Sequence, residues 1–67
     1  MLSIVLNGSP YRSDDALTVA DLVRALALQE KRIAVERNGE IVPRSQLELT
    51  QLAAGDRIEI VAAVGGG

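Results

Sequence analysis

Two Asn-Gly dipeptides, each beside a short segment of alternating residues, are the feature that most constrains the fold of this chain. Asn7-Gly8 follows residues 2–6, and Asn38-Gly39 separates residues 33–37 from residues 40–42. Asparagine and glycine both tolerate the positive φ angles that the tight turn of a two-residue β-hairpin requires. The sequence therefore predicts two hairpins, one at the start of the chain and one near its middle.

The second strand of the first hairpin is predicted around residues 11–13. Pro10 has no backbone N–H group to donate, so we expect it at the start of a strand or at a free edge of the sheet. This position should limit the pairing close to the first turn.

A single helix is predicted between the two hairpins. Thr18 is a suitable N-cap residue, and Asp21 occupies the third helical position, near the positive end of the helix dipole. Apolar residues then recur at the spacing of one helix face, at Val19, Leu22, Val23 and Leu26. The pattern predicts a helix over residues 19–27 that packs this face on a sheet.

Residues 44–50 are predicted to form an irregular connection with a short helical turn. The last strand is predicted at residues 57–64, after a turn at Gly55-Asp56. The inward residues of this last strand are expected to be Ile58, Ile60 and Ala62. The opposite face changes from polar to apolar along the strand, since Arg57 and Glu59 are followed by Val61 and Ala63.

These outward apolar residues predict a docking surface for a partner. Val5 is opposite in phase to the inward residues of the first strand, so it can join this surface if the first and last strands are neighbours. An apolar cluster beside the glycine run at the end of the sequence is typical of an interaction site. The predicted interface residues are Val5, Val61, Ala63 and Val64.

The composition excludes most side-chain chemistry. The chain has 67 residues, no Cys and no His, which removes thiol nucleophiles, imidazole bases and the usual zinc ligands. Its formal charge is −2 and its basic residues are scattered, which disfavours nucleic-acid binding. We predict no catalytic side chain and no metal site. The apolar runs are too short to span a membrane and no secretory signal is evident, so a cytoplasmic protein is expected.

The sequence ends in Gly65-Gly66-Gly67. Glycine loses the most backbone freedom on ordering, so such a run contributes nothing to a core. One interpretation is that the glycines form a thin, flexible segment that can carry its terminal carboxylate into a channel too narrow for side chains. The other is a frayed terminus.

The chain as a whole resembles a known family. Its matching features are residues 2–8, Thr18-Val19-x-x-Leu22, residues 34–44, Gly55-Asp56-x-Ile58-Glu59 and the terminal glycines. This order is similar to the β-grasp of ubiquitin-like proteins and, within them, to the sulfur carrier proteins of thiamine biosynthesis, the ThiS family. The resemblance implies an α+β fold with a mixed four- to five-stranded sheet packed on one main helix. Residues 1–64 would form a single domain and residues 65–67 a flexible tail.

The resemblance also implies a function. The Gly67 carboxylate would be adenylated and converted to a thiocarboxylate that donates sulfur for thiazole formation, with Gly65 and Gly66 providing access. The protein would be a carrier with no bound cofactor, and ATP would be used by an activating partner. The implied partners are a ubiquitin-activating-like adenylyltransferase, thiazole synthase, and a sulfur donor such as a cysteine desulfurase.

Three alternatives stay open at the level of the sequence. A sulfur carrier of the molybdopterin synthase small-subunit type would share the fold and the tail. A ubiquitin-type protein modifier is disfavoured because Lys31 is the only lysine and the segment before the terminal glycines contains no arginine. A non-covalent β-grasp binding module, in which the tail has no role, belongs to a different class.

Overall fold

One mixed five-stranded sheet, covered on one side by a single helix, forms the fold. The computed structural model describes residues 1–62. Its elements are β1 (Leu2–Leu6), β2 (Ser9–Ser13), α1 (Val19–Ala25), β3 (Ile33–Arg37), β4 (Glu40–Val42), a 3-10 turn (Arg44–Gln46) and β5 (Arg57–Ala62). The strand order is β2-β1-β5-β3-β4, and within residues 1–62 the pair β1 and β5 is parallel and the other three pairs are antiparallel. The predicted β-grasp architecture is confirmed, and the first and last strands, β1 and β5, are neighbours in the sheet.

Both predicted hairpin turns are present. Asn7 and Gly8 have φ angles of 49° and 81°, and Asn38 and Gly39 have φ angles of 52° and 87°. Positive φ at both central residues matches the right-handed twist of the flanking strands. The short helical turn predicted in the connection is the 3-10 turn after β4.

Pro10 lies on β2, an edge strand of the sheet, as predicted. The expected loss of pairing near the turn is wrong, because β2 begins at Ser9 and pairs with β1 over its whole length. Pro10 stands opposite Val5, and the Val5 N–H group donates to the Asp56 carbonyl on the other side, at 2.9 Å. The missing proline N–H therefore leaves the ladder with β1 intact.

The N-terminus of α1 is held by a reciprocal capping box. The Asp21 N–H donates to the Thr18 hydroxyl oxygen at 3.1 Å, and the Thr18 N–H donates to the Asp21 carboxylate at 2.9 Å. Both predicted roles are confirmed. Together these bonds satisfy backbone donors that the first helical turn leaves unpaired.

The helix ends earlier than predicted, at Ala25 and not at residue 27. Ala27 takes a left-handed conformation with φ of 58°. The Ala27 N–H donates to the Arg24 carbonyl oxygen, and the Leu28 N–H donates to the Val23 carbonyl oxygen, each at 3.0 Å. This pair of bonds closes the helix in a Schellman arrangement, in which glycine is the usual left-handed residue. An alanine in that position gave no sequence signal for the end of the helix.

The core is aliphatic and lies between α1 and the inner face of the sheet. Its fully enclosed centre is formed by Leu22, Ile58 and Val19. The other buried members of this cluster are Leu2, Ile4, Val23, Val35, Leu52 and Ile60. The predicted inward face of β5 is confirmed for Ile58 and Ile60 but is wrong for Ala62, which is exposed.

Candidate functional site

The outer face of β5 carries the exposed apolar residue that the sequence predicted there. Val61 is 63% exposed and stands directly opposite Ala34 of β3. Ala62 follows as the last described residue of the strand, opposite Ile33. Pairing with β1 stops at Ile58, so the end of β5 is supported by β3 alone. Ala62 is exposed, although Ile60, which also has no partner residue in β1, is buried.

The structure separates Val5 from Val61. Val5 is half-buried and pairs with Arg57, four positions before Val61 on the same strand. At roughly 3.3 Å per residue, the two valines lie about 13 Å apart along the sheet. The other predicted interface residues, Ala63 and Val64, and the tail residues 65–67 lie outside the described residues.

A side chain replaces β1 where the parallel pairing ends. The Ile60 N–H donates to the Asn7 side-chain oxygen at 2.8 Å, and the Asn7 side-chain amide donates to the Ile60 carbonyl at 3.3 Å. The carboxamide thus takes the place of a peptide group beside β5. The sequence indicated Asn7 as a turn residue only, because a bond between residues so far apart needs the fold to be known.

The start of β5 is fixed by a buried carboxylate, Asp56. Its oxygens accept from Arg37 Nε at 2.8 Å, from the Asn38 side-chain amide at 3.0 Å and from the Ala53 N–H at 2.8 Å. Burial by itself raises the pKa of the Asp56 carboxyl group, but these hydrogen bonds and the charge of Arg37 together hold that pKa below its usual value. Asp56 is therefore a structural anion that aligns the Asn38-Gly39 turn with β5.

Two glutamates face each other on the outer surface of the sheet. Glu36 of β3 is paired directly with Glu59 of β5, and Ile41 of β4 stands on the other side of Glu36. Ile41 is 62% exposed. The outer sheet face is defined here as Ala34, Glu36, Ile41, Glu59 and Val61. Alternation within each strand places these side chains outward, but only the register shows that they are neighbours.

Metal chemistry finds no support in the part of the chain that the structure describes. Residues 1–62 contain no group of three or more His, Cys, Asp or Glu side chains arranged to hold a metal ion. A groove of about 280 Å³ between α1 and the β3-β4 hairpin is lined by apolar residues and by Arg24, Lys31, Arg44 and Glu48, and Glu48 forms an ion pair with Arg24. No helix within the same residues is long and apolar enough to cross a membrane.

Comparison with known proteins gives consistent matches over nearly the whole chain. The sequence profile of the ThiS family matches residues 4–67. The chain is 40% identical over 63 residues to the sulfur carrier protein ThiS of Bacillus subtilis, covering 92% of this chain and 96% of that protein. The crystal structure of the thiamine biosynthesis protein ThiS from Geobacter metallireducens superposes with a TM-score of 0.83 at 33% identity, covering 98% of this chain and 100% of that one.

A larger relative contains a region similar to this chain. The chain is 39% identical over 66 residues to a thiazole synthase of Paramagnetospirillum magneticum. The match covers 98% of this chain but spans only 20% of the length of that thiazole synthase.

Proposed function

The chain belongs to the ThiS family, and on this premise we propose that it carries sulfur for thiamine biosynthesis on the carboxylate of Gly67. The observation that carries the proposal is the family match over residues 4–67, which includes both the described fold and the terminal glycines. Among the described residues, β5 ends at Ala62, three positions before Gly65 in the sequence, and Val61 is exposed. The described domain serves as the surface by which partners hold the chain.

The chemistry follows from the properties of a carboxylate. An α-carboxyl group has a pKa of about 3.5, so near neutral pH it is ionised and is a poor electrophile. Activation requires ATP: a carboxylate oxygen of Gly67 attacks the α-phosphorus, pyrophosphate leaves, and an acyl adenylate forms. We assign this step to an adenylyltransferase related to ubiquitin-activating enzymes, so the carrier itself needs no cofactor.

Sulfur then replaces the adenylate. The terminal sulfur of a persulfide, such as that of a cysteine desulfurase, attacks the acyl carbon and AMP leaves. A second thiol reduces the resulting acyl disulfide, which releases the donor cysteine as a disulfide and leaves a thiocarboxylate on Gly67. The carrier supplies no catalytic side chain in this scheme and acts as a co-substrate in the cytoplasm.

Gly65 and Gly66 have a steric role. Three extended residues reach about 10 Å at roughly 3.3 Å per residue, which is enough to present a terminal carboxylate inside a partner's site. Thiazole synthase is the proposed acceptor of the sulfur, and the region of a thiazole synthase that matches this chain supports an association between the two activities.

Reconstituted thiazole formation tests this proposal. We expect the full chain to support thiazole formation with the activating enzyme, a cysteine desulfurase, ATP and thiazole synthase. A chain that lacks Gly66 and Gly67 should support none, although its domain is unchanged. Equal activity of the two chains would instead favour the non-covalent binding module.

A further inference from the structure

The two edge strands of the sheet, β2 and β4, have no strand on their outer sides within residues 1–62. The free side of an edge strand presents backbone N–H and C=O groups that can pair with an extended segment of another chain. In antiparallel strands these groups point alternately toward the partner strand and away from it. The register and the hydrogen bonds therefore identify the residues whose backbone groups face the free side of each edge.

On β2 the outward residues are Pro10 and Arg12. Pro10 is paired with Val5 of β1, and the Val5 N–H donates to the Asp56 carbonyl oxygen on the side away from β2. Pro10 therefore stands at a non-hydrogen-bonded position, and its backbone nitrogen faces the free side, as does the N–H group of Arg12 two residues later. Because proline has no N–H group, Arg12 is the one outward residue of β2 that can both donate and accept.

The second edge repeats this arrangement with Pro43, the residue that follows β4. The Asn38 N–H donates to the Arg57 carbonyl oxygen of β5 at 2.8 Å, so by alternation Glu36 also directs its backbone groups toward β5. Glu36 is paired with Ile41 of β4, whose backbone groups therefore face the free side. Pro43 continues the extended backbone, with φ of −62° and ψ of 153°, and its nitrogen faces the same way as that of Ile41.

The chain contains two prolines, and both occupy positions at which another residue would present an outward donor. A strand added in antiparallel orientation exchanges two hydrogen bonds with each outward residue that it meets. The outward positions on the turn side of each edge are Gly8 and Gly39, whose φ angles of 81° and 87° do not continue a strand. Each edge therefore keeps a single residue, Arg12 or Ile41, that can complete such an exchange.

We propose that Pro10 and Pro43 close both edges of the sheet to strand addition, so that the carrier stays monomeric and its partners bind surface side chains instead of adding a β-strand. An open edge would pair with a second copy or with extended segments of other proteins. A carrier that passes from one enzyme to another would be withheld by such pairing. We draw this from the backbone of residues 1–62, so it stands independently of the chemistry at Gly67.

Pro10→Thr tests the proposal at β2, because threonine favours strands and restores the outward N–H group. Sedimentation equilibrium and amide hydrogen exchange are measured on the full chain at millimolar concentration. We expect the variant to self-associate at least about tenfold more strongly than the unaltered protein, with the Arg12 N–H becoming protected from exchange. Ser9→Thr is the matched control, since Ser9 is paired with Leu6 and its N–H group already faces β1.

Pro43→Thr repeats the measurement on the other edge, with the Ile41 N–H as the reporter of exchange, and it decides in the same way where Pro10→Thr does not fold. Self-association of the proline variants, with the control and the unaltered protein monomeric, is the expected result. A folded Pro10→Thr that stays monomeric and leaves the Arg12 N–H unprotected overturns the proposal. Equal self-association of Ser9→Thr also overturns it, because strand propensity and not the restored donor would then be the cause.

Discussion

The Asn7 side chain forms two hydrogen bonds with the backbone of Ile60, one through its oxygen and one through its amide group. Asn38 acts similarly on the other side of β5, where its side-chain oxygen accepts from the Arg57 N–H at 2.9 Å. The asparagine of each hairpin turn therefore also holds the strand that leads to the terminal glycines. Turn formation and placement of β5 depend on the same side chains.

Replacing Asn7 should lower stability by more than its role in the turn accounts for. Asn7→Gly keeps the freedom to adopt positive φ and removes both side-chain bonds, so we expect a loss of about 1–3 kcal/mol in the free energy of unfolding. Asn7→Asp keeps the acceptor for the Ile60 N–H but not the donor, and should be intermediate. Urea unfolding measures both variants. Equal stability of Asn7→Gly and the unaltered protein would show that the two bonds contribute nothing.

Asp56 should make the stability of the fold sensitive to acid. Its pKa in the folded state is lower than in the unfolded state, where an aspartate has a pKa of about 3.9. The unfolded state therefore binds the proton more readily, so the stabilisation by Asp56 is complete above about pH 4 and is lost as the pH falls through the folded-state pKa.

An asparagine at this position tests the assignment. Asp56→Asn should lower the free energy of unfolding by about 2 kcal/mol at neutral pH, because the charged acceptor of Arg37 is lost. It should also flatten the fall of stability below about pH 4. Urea unfolding at several pH values gives both quantities. If the free energy of unfolding depended on pH in the same way in both proteins, Asp56 would not be the source of the acid sensitivity.

Ala27 offers a stabilising substitution. Its left-handed backbone is unfavourable for a residue with a Cβ atom, so Ala27→Gly should raise the free energy of unfolding by about 0.5–1 kcal/mol. Ala25→Gly is the matched control, since Ala25 lies within α1, where glycine should cost about as much as it gains at position 27. Changes of the same sign in both variants would contradict this interpretation of the helix end.

Val61 is expected to contribute to partner binding but not to folding. Val61→Ser removes an exposed apolar side chain without adding charge beside Glu59, so we expect about tenfold weaker binding to the activating enzyme and an unchanged urea midpoint. Leu49→Ser is the control, because Leu49 is 74% exposed and lies outside the outer sheet face. Similar effects of the two substitutions on affinity would indicate general apolar contact instead of a defined interface.

Features specified by adjacent residues were predictable from the sequence. The Asn-Gly turns, the Thr18–Asp21 capping box and the inward residues Ile58 and Ile60 depend on local spacing, and the structure contains all of them. The family resemblance added a mixed four- to five-stranded sheet packed on one main helix, and the structure contains such a sheet with five strands.

Features that depend on register or on distant partners were not predictable. The Glu36–Glu59 pair requires the alignment of β3 with β5, and the buried state of Asp56 requires the approach of Arg37. The separation of Val5 from Val61 likewise follows from where the parallel pairing begins. Alternation gives the face of a residue but not its neighbour across the sheet.

The intact mass of the protein tests whether the Gly67 carboxylate carries the sulfur. The carrier is incubated with ATP, the activating enzyme, a cysteine desulfurase and a thiol reductant, and its mass is compared with that of the untreated protein. We expect an increase in mass equal to the replacement of one oxygen by one sulfur, located by fragmentation at Gly67. An unchanged mass, under conditions that convert the Bacillus subtilis ThiS protein, would contradict it.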